Sequence, residues 1–364
     1  MSKYLSSRLA ALDAYTPGEQ PRDMQYIKLN TNESPFPPSP LVLEKVSEAE
    51  VSRLNLYPDP EATALRGKLA ALHGLAPENV FVSNGSDDIL NFAFMAFCDE
   101  TRGAAFADIT YGFYPVYGDL YGIDCKVIPL REDFTLNPMD YHDLGRMVVI
   151  ANPNAPTGLT ISETDIRGIL ESNRDNVVLI DEAYVDFGGK SVYPLIKKYD
   201  NLLVVQTYSK SRSMAGARLG FAFGSPELIA DLNLIKYSTN PYNINRLTMI
   251  AGEAAIDSND YFMDNCKKII KAREYTATEL KRLGFTVTDS KANFLFAKSD
   301  QIGGEELYLE LKKRGILVRH FSKERIKEYN RITVGTMEQM EKFVAAVAEI
   351  LTTANRTDFP PQTR

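Results

Sequence analysis

The chain has 364 residues, 44% hydrophobic and 24% charged, with 41 basic and 48 acidic side chains for a formal net charge of −7. That length favours two domains over one simple core, and an acidic chain without a basic stripe argues against nucleic-acid binding. No apolar run is long enough to span a bilayer, the N-terminus lacks the apolar core of a secretory signal, and Cys98, Cys125 and Cys266 have neither paired nor metal-like spacing; the expectation is a cytoplasmic protein with no membrane partner, disulfide or metal.

Residues 1–40 read as an N-terminal arm. The segment Asn32-Glu-Ser-Pro-Phe-Pro-Pro-Ser39 is too proline-rich for a helix or a central strand, and is expected to run over a surface or across a partner. Residues 41–242 read as a large domain. Seven short apolar runs recur there, at Val80 to Val82, Ala104 to Ala107, Cys125 to Ile128, Met147 to Ala151, Val177 to Ile180, Leu202 to Val205 and Phe221 to Phe223. Runs apolar on both faces predict an α/β fold with a mostly parallel sheet covered by helices. Helical segments are expected near Glu61 to His73, Asp87 to Cys98, Glu163 to Ser172 and Pro226 to Leu234. The pattern changes after Pro241, where long helical stretches and four strand-like runs predict a smaller α+β domain over 243–352. Residues 353–364 read as a polar, mobile tail.

Three strand ends carry candidate chemistry. Val178-Leu-Ile-Asp181-Glu-Ala-Tyr184 is a buried-strand pattern ending in an acid; ligands of open α/β sheets bind outside such ends, although an acid there also caps turns. Thr207-Tyr-Ser209-Lys210 follows the next run, with Arg218 eight residues beyond the lysine; a lone lysine in this position is either a held amine or a surface charge. Asn84-Gly85-Ser86-Asp87 joins the first run to a helical segment, and a glycine turn opening a helix is either a plain turn or a phosphate cradle. Taken together, an acid, a tyrosine, a lysine, Ser209, Arg218 and a phosphate loop describe a site for pyridoxal phosphate.

The ordered motifs Asn-Gly-Ser-Asp, Asn-Pro-Asn-Ala-Pro-Thr-Gly, Asp-Glu-Ala-Tyr, Ser-Lys-Ser-Arg-Ser-Met-Ala-Gly-Ala-Arg and Arg-Ile-Thr-Val-Gly-Thr resemble the fold-type I pyridoxal-phosphate aminotransferases. Within them the chain is most similar to the histidinol-phosphate aminotransferases, from Leu29-Asn-Thr-Asn-Glu-Ser-Pro to the last helix. The resemblance implies a seven-stranded large domain and a homodimer with shared active sites. It implies transamination between histidinol phosphate and 2-oxoglutarate in histidine biosynthesis; an aromatic or other amino-acid aminotransferase, or a phospho-amino-acid decarboxylase, stays open on the same scaffold. Lys210 would bind the cofactor covalently and move protons, Asp181 would pair with the ring nitrogen, and Tyr184 would donate to the ring oxygen. Gly85, Ser86, Asp87, Ser209 and Arg218 would hold the phosphate, helped by Tyr57 from the neighbouring subunit, Thr207 would contact the cofactor, and Tyr111 would stack on the ring. Arg331, Arg319 and Tyr15 would contact substrate. One position departs from the family pattern: Ala155 stands where asparagine usually donates to the ring oxygen, and Asn154 is the expected replacement.

Overall fold

Runs of valine, isoleucine and leucine become strands here because helices cover both faces of the sheet they build. The computed structural model describes Leu9, Leu12, Asp13 and residues 15–357. Its strands are β1 (Ile27–Leu29), β2 (Val80–Ser83), β3 (Ala104–Ala107), β4 (Cys125–Ile128), β5 (Met147–Ala151), β6 (Val178–Asp181), β7 (Leu202–Thr207), β8 (Gly220–Phe223), β9 (Phe285–Val287), β10 (Phe294–Ser299), β11 (Ile316–His320) and β12 (Asn330–Thr333).

The larger sheet has seven strands in the order β2-β8-β7-β6-β5-β3-β4. Every pairing is parallel except the two made by β8. Alternation along the central strands feeds two cores: Val178, Ile180 and Val204 join helices Thr63–His73 and Glu163–Ser172 on one face, while Leu179, Leu203 and Val205 meet helix Ser86–Phe97 on the other. Side chains two apart on a strand share a face, so one hydrophobic run serves both layers. The consequence for function is that β6 and β7 are fixed on both sides and project their carboxyl ends to one edge.

The smaller sheet runs β1-β11-β12-β10-β9. Helices Asn259–Arg282, Gly304–Lys313 and Met337–Thr357 cover it through residues such as Ile269, Leu311 and Phe343. The arm is not confined to a surface: β1 pairs in parallel with β11, and Asn30 and Asn32 are buried. The prolines that exclude a central strand begin only at Pro35, after β1 has ended.

Helix Arg246–Asp257 packs Met249, Ala251, Ala254 and Ala255 into the core of the larger sheet, so the division expected at 242/243 does not coincide with the change of core. Helix Met337–Thr357 runs past Leu351, carrying backbone expected in the tail; residues 358–364 lie outside the described chain. Helix Phe113–Tyr121 went unread because its aromatic residues, Pro115 and Gly118 lower local propensity, and packing of Tyr114 and Tyr117 against the sheet supplies what propensity lacks. Among the described residues no helix is long and apolar enough to cross a membrane, and no group of His, Cys, Asp or Glu is placed to hold a metal.

Candidate active site

The carboxyl edge of the larger sheet opens into a cavity lined by polar and aromatic side chains, the place where open α/β sheets bind their ligands. Asp181 ends β6, Thr207 ends β7, and Ser86 starts the helix that follows β2; all three line the cavity together with Asp87, Tyr111, Tyr184, Ser209, Lys210 and Arg218. Gly85 precedes that helix at φ 84° without a side-chain cap, leaving the amides of the first turn for a ligand. A Cβ at Gly85 would sit 2.7 Å from Arg218 Nη2, and one at Gly220 would collide with the backbone of Gly85 and Ser86. Two glycines therefore let strand, helix end and guanidinium close on one point.

Buried charge sets the electrostatics. Burial lowers the Lys210 amine to about 8, and the Arg331 guanidinium pushes in the same direction. Its Nζ lies 3.4 Å from the Thr31 carbonyl. Burial raises the Asp181 carboxyl to about 6, held back from rising further by hydrogen bonds from Tyr114 and the Ala183 N–H. The Tyr114 hydroxyl donates to Asp181 Oδ2 at 2.8 Å, and Ala183 N to Oδ1 at 3.1 Å. At neutral pH this leaves a carboxylate facing the cavity and roughly a tenth of the amine uncharged, far more than an ordinary lysine would have. The Tyr111 hydroxyl donates to Asp87 Oδ1 at 2.7 Å, while Arg218 Nη2 donates to Asp87 Oδ2 at 2.8 Å. One carboxylate thus fixes a ring and a guanidinium on either side of the helix end.

Lys210, Tyr184, Tyr111 and Ala155 also face an outer cavity, whose far wall carries Tyr15, Arg319 and Arg331. Tyr15 stacks on Phe113 with ring centroids 4.3 Å apart and lies 6.3 Å from Tyr111. Arg331 Nη2 donates to the Asn30 carbonyl at 2.9 Å, but its buried Nε has no partner among the described residues. An unmet guanidinium donor in a cleft is suited to an anionic ligand. Arg319 reaches the carbonyls of Thr16 and Pro17 at 3.4 Å each.

One expectation is not met, and another concerns a neighbouring subunit. Asn154 does not reach the first cavity: its Oδ1 accepts from Thr110 at 2.8 Å and its Nδ2 donates to the Ile109 carbonyl and Thr157 Oγ1. With both ends of the amide engaged in the neighbouring loop, the Ala155 side chain is left facing the cavity in its place. Tyr57 is 78% exposed and stacks on Tyr242 at 4.5 Å, away from its own chain's cavity. Two contacts escaped the sequence reading. Tyr114 lies three residues past Tyr111, at the start of the helix that follows it. Asn32, which donates to the Tyr184 hydroxyl at 3.0 Å, is 152 residues away in sequence and gave no local signal.

Comparison with known proteins adds identity to this geometry. Residues 24–347 match the family described as aminotransferase class I and II. The histidinol-phosphate aminotransferase of Brachyspira hyodysenteriae is 51% identical over 352 residues, 96% of this chain and 99% of its own length. Among solved structures, histidinol-phosphate aminotransferase from Sinorhizobium meliloti in complex with pyridoxal-5'-phosphate superposes with a TM-score of 0.80 at 22% identity, covering 90% of this chain and 92% of that one. L-threonine-O-3-phosphate decarboxylase from Porphyromonas gingivalis superposes nearly as well, at 0.79 and 22%, over 90% of this chain and 99% of that one. The fold is thus shared by two chemistries, and the high identity over nearly the whole chain is to the aminotransferase.

Proposed function

We propose, from the premise that this chain belongs to the class I and II aminotransferases, that it moves an amino group between histidinol phosphate and 2-oxoglutarate with pyridoxal 5'-phosphate as cofactor. The observation that carries the reading is the position of one amine, Lys210, on the wall common to both cavities. The inner cavity fits the cofactor: the close approach that Gly85 and Gly220 permit makes a cradle for a phosphate beside Ser209 and Arg218. Asp181 stands ready, ionised, for a protonated ring nitrogen. The choice of histidinol phosphate rests on the relative that is 51% identical and accords with two arginines on the outer wall.

When bound, the cofactor supplies an electron-accepting ring that stabilises the charge left on a substrate carbon after its proton is removed. The rest is this chain's own work. Lys210, with its amine lowered to about 8, exchanges protons near neutral pH and so serves as base and acid in turn. Arg331 offers a planar fork that takes the phosphate of one substrate and a carboxylate of the other, with Arg319 beside it. Tyr15 closes the outer cavity from the arm and limits water. The second half of the proposal is a homodimer in which Tyr57 reaches the phosphate of the neighbouring subunit. Its exposure, with Leu43, Leu54 and Leu56 also exposed nearby in the chain, supports an apolar surface that a second copy would cover.

The test is spectral and kinetic. Protein supplied with cofactor should show a visible absorption band that Lys210→Ala lacks, and a wild type that stays colourless overturns the cofactor assignment. Rates with histidinol phosphate should far exceed those with phenylalanine or tyrosine, and the reverse order overturns the substrate. Mixing inactive Lys210→Ala with a weakened Tyr57→Ala chain should restore activity if sites are shared; no recovery removes Tyr57 from the site.

A further inference from the structure

The buried part of the arm and the cavity meet at one phenol. Tyr184 Oη accepts from Asn32 Nδ2 at 3.0 Å. Asn32 Oδ1 accepts from Thr333 Oγ1 at 2.9 Å, and Thr333 Oγ1 accepts in turn from the Asn32 N–H at 3.0 Å. The Asn32 carbonyl accepts from Asn293 Nδ2 at 3.0 Å. This amide is pinned at both ends in a residue only 1% exposed, on left-handed backbone at φ 56°.

Direction is the consequence. A phenol has one proton. Because Asn32 donates a hydrogen bond to the Tyr184 oxygen, the tyrosine keeps its own O–H for a partner in the cavity that its side chain lines. The two alanines beside it on the wall offer no side-chain donor. Ala155 packs against Tyr184, and Ala183 precedes it on the same wall, neither with a polar side chain. Asn154 is committed elsewhere.

We propose that Asn32 is a positioning residue which, held by Thr333, aims the single Tyr184 proton at the ring oxygen of the cofactor and thereby sets the protonation of the cofactor bound through Lys210. The inference rests on the cofactor reading above. Thr333 follows Arg331 by two residues on β12, so the strand that carries the substrate arginine also orients the group that tunes the ring. The arm is then part of the cofactor site and not only a cover over substrate.

The readout is the pH titration of the visible band in the loaded enzyme. A donor to the ring oxygen stabilises its anion and lowers the midpoint, so losing the donor raises it. Asn32→Gly removes the amide without straining a positive φ, and its midpoint should rise by about one pH unit, the size of one hydrogen bond to a charged group. Tyr184→Phe should raise it at least as far, and Asn32→Gly added to Tyr184→Phe should shift it no further. Ala155→Asn, which returns a donor to the same wall, should bring the Asn32→Gly midpoint back down. Thr333→Val, which keeps the volume but frees the amide, should give a smaller rise of the same sign and serves if Asn32→Gly does not fold. An unchanged midpoint in the folded variant, or an Asn32→Gly shift that persists undiminished in Tyr184→Phe, overturns the proposal. A wild type without a band that depends on Lys210 sinks the cofactor reading instead, so the two failures are told apart.

Discussion

The inner and outer cavities share a wall but are built in opposite ways. The inner one is made at strand ends of a single sheet, where Asp181 and Thr207 close two buried strands and Ser86 opens the helix that follows another. Its side chains also hold one another, as Asp87 does Tyr111 and Arg218. The outer one joins Tyr15 of the arm to Arg319 and Arg331 of the smaller sheet, and its arginines are steadied by arm carbonyls. On the proposed reading, the single-sheet geometry surrounds the cofactor, which is the same in every turnover. The cavity that would take two different substrates is assembled from separate segments.

If that division is right, damage to the outer wall should spoil substrate use and leave the cofactor in place. Arg331→Ala should lower kcat/KM by about 10²–10³-fold, the equivalent of roughly 3–4 kcal/mol for a buried charged partner. The visible band should persist at full strength. Steady-state kinetics with a spectrum of the same sample checks both halves, and a colourless Arg331→Ala would erase the distinction. Arg331→Lys should recover only part of the loss, because an ammonium cannot replace the planar fork.

Damage to the inner wall should do the reverse. Arg218→Ala should weaken cofactor binding by about tenfold, a modest figure because the guanidinium is half exposed and screened, while substrate KM in saturating cofactor changes little. Fluorescence titration of the apo-protein gives the affinity. The same preparation tests the amine: an amine attacks only when unprotonated, so with Lys210 lowered to about 8 the rate of cofactor loading should climb as pH rises to about that value and level off above it. An ordinary lysine would keep accelerating well beyond.

The two regions also differ in how far the sequence announces them. Strands β3 and β5 begin and end where the apolar runs do, because runs buried on both faces have no alternation to blur. Asp181, Lys210 and Gly85 could be singled out since their meaning depends on neighbours a few residues away. The fate of Asn154 could not be read, because it turns on whether Thr110 and Ile109, over forty residues earlier, engage its amide. Asn32 is the sharper case. Its role depends on Tyr184 and on Thr333, 301 residues away, and no periodicity in the chain connects them. What a segment does alone is legible, and what it does by meeting a distant one is not.

The smallest expected effect lies deepest in the inner wall. Tyr114→Phe deletes the hydroxyl that donates to Asp181 Oδ2 at 2.8 Å and leaves the Ala183 N–H as the remaining donor to that carboxylate. Both bonds favour the charged form, so losing one lets burial push the acid above its present value of about 6. A protonated Asp181 cannot pair with a protonated ring nitrogen, and cofactor affinity should therefore fall away at a higher pH in the variant than in the wild type. The displacement should be at most about one pH unit, since one hydrogen bond is removed and the phenyl ring still fills the space. Well above that value the acid is ionised in both proteins, and their affinities should converge. Cofactor titrations from acid to neutral pH check this, and curves that stay separated by a constant factor would mean that Tyr114 matters for packing and not for the charge of Asp181.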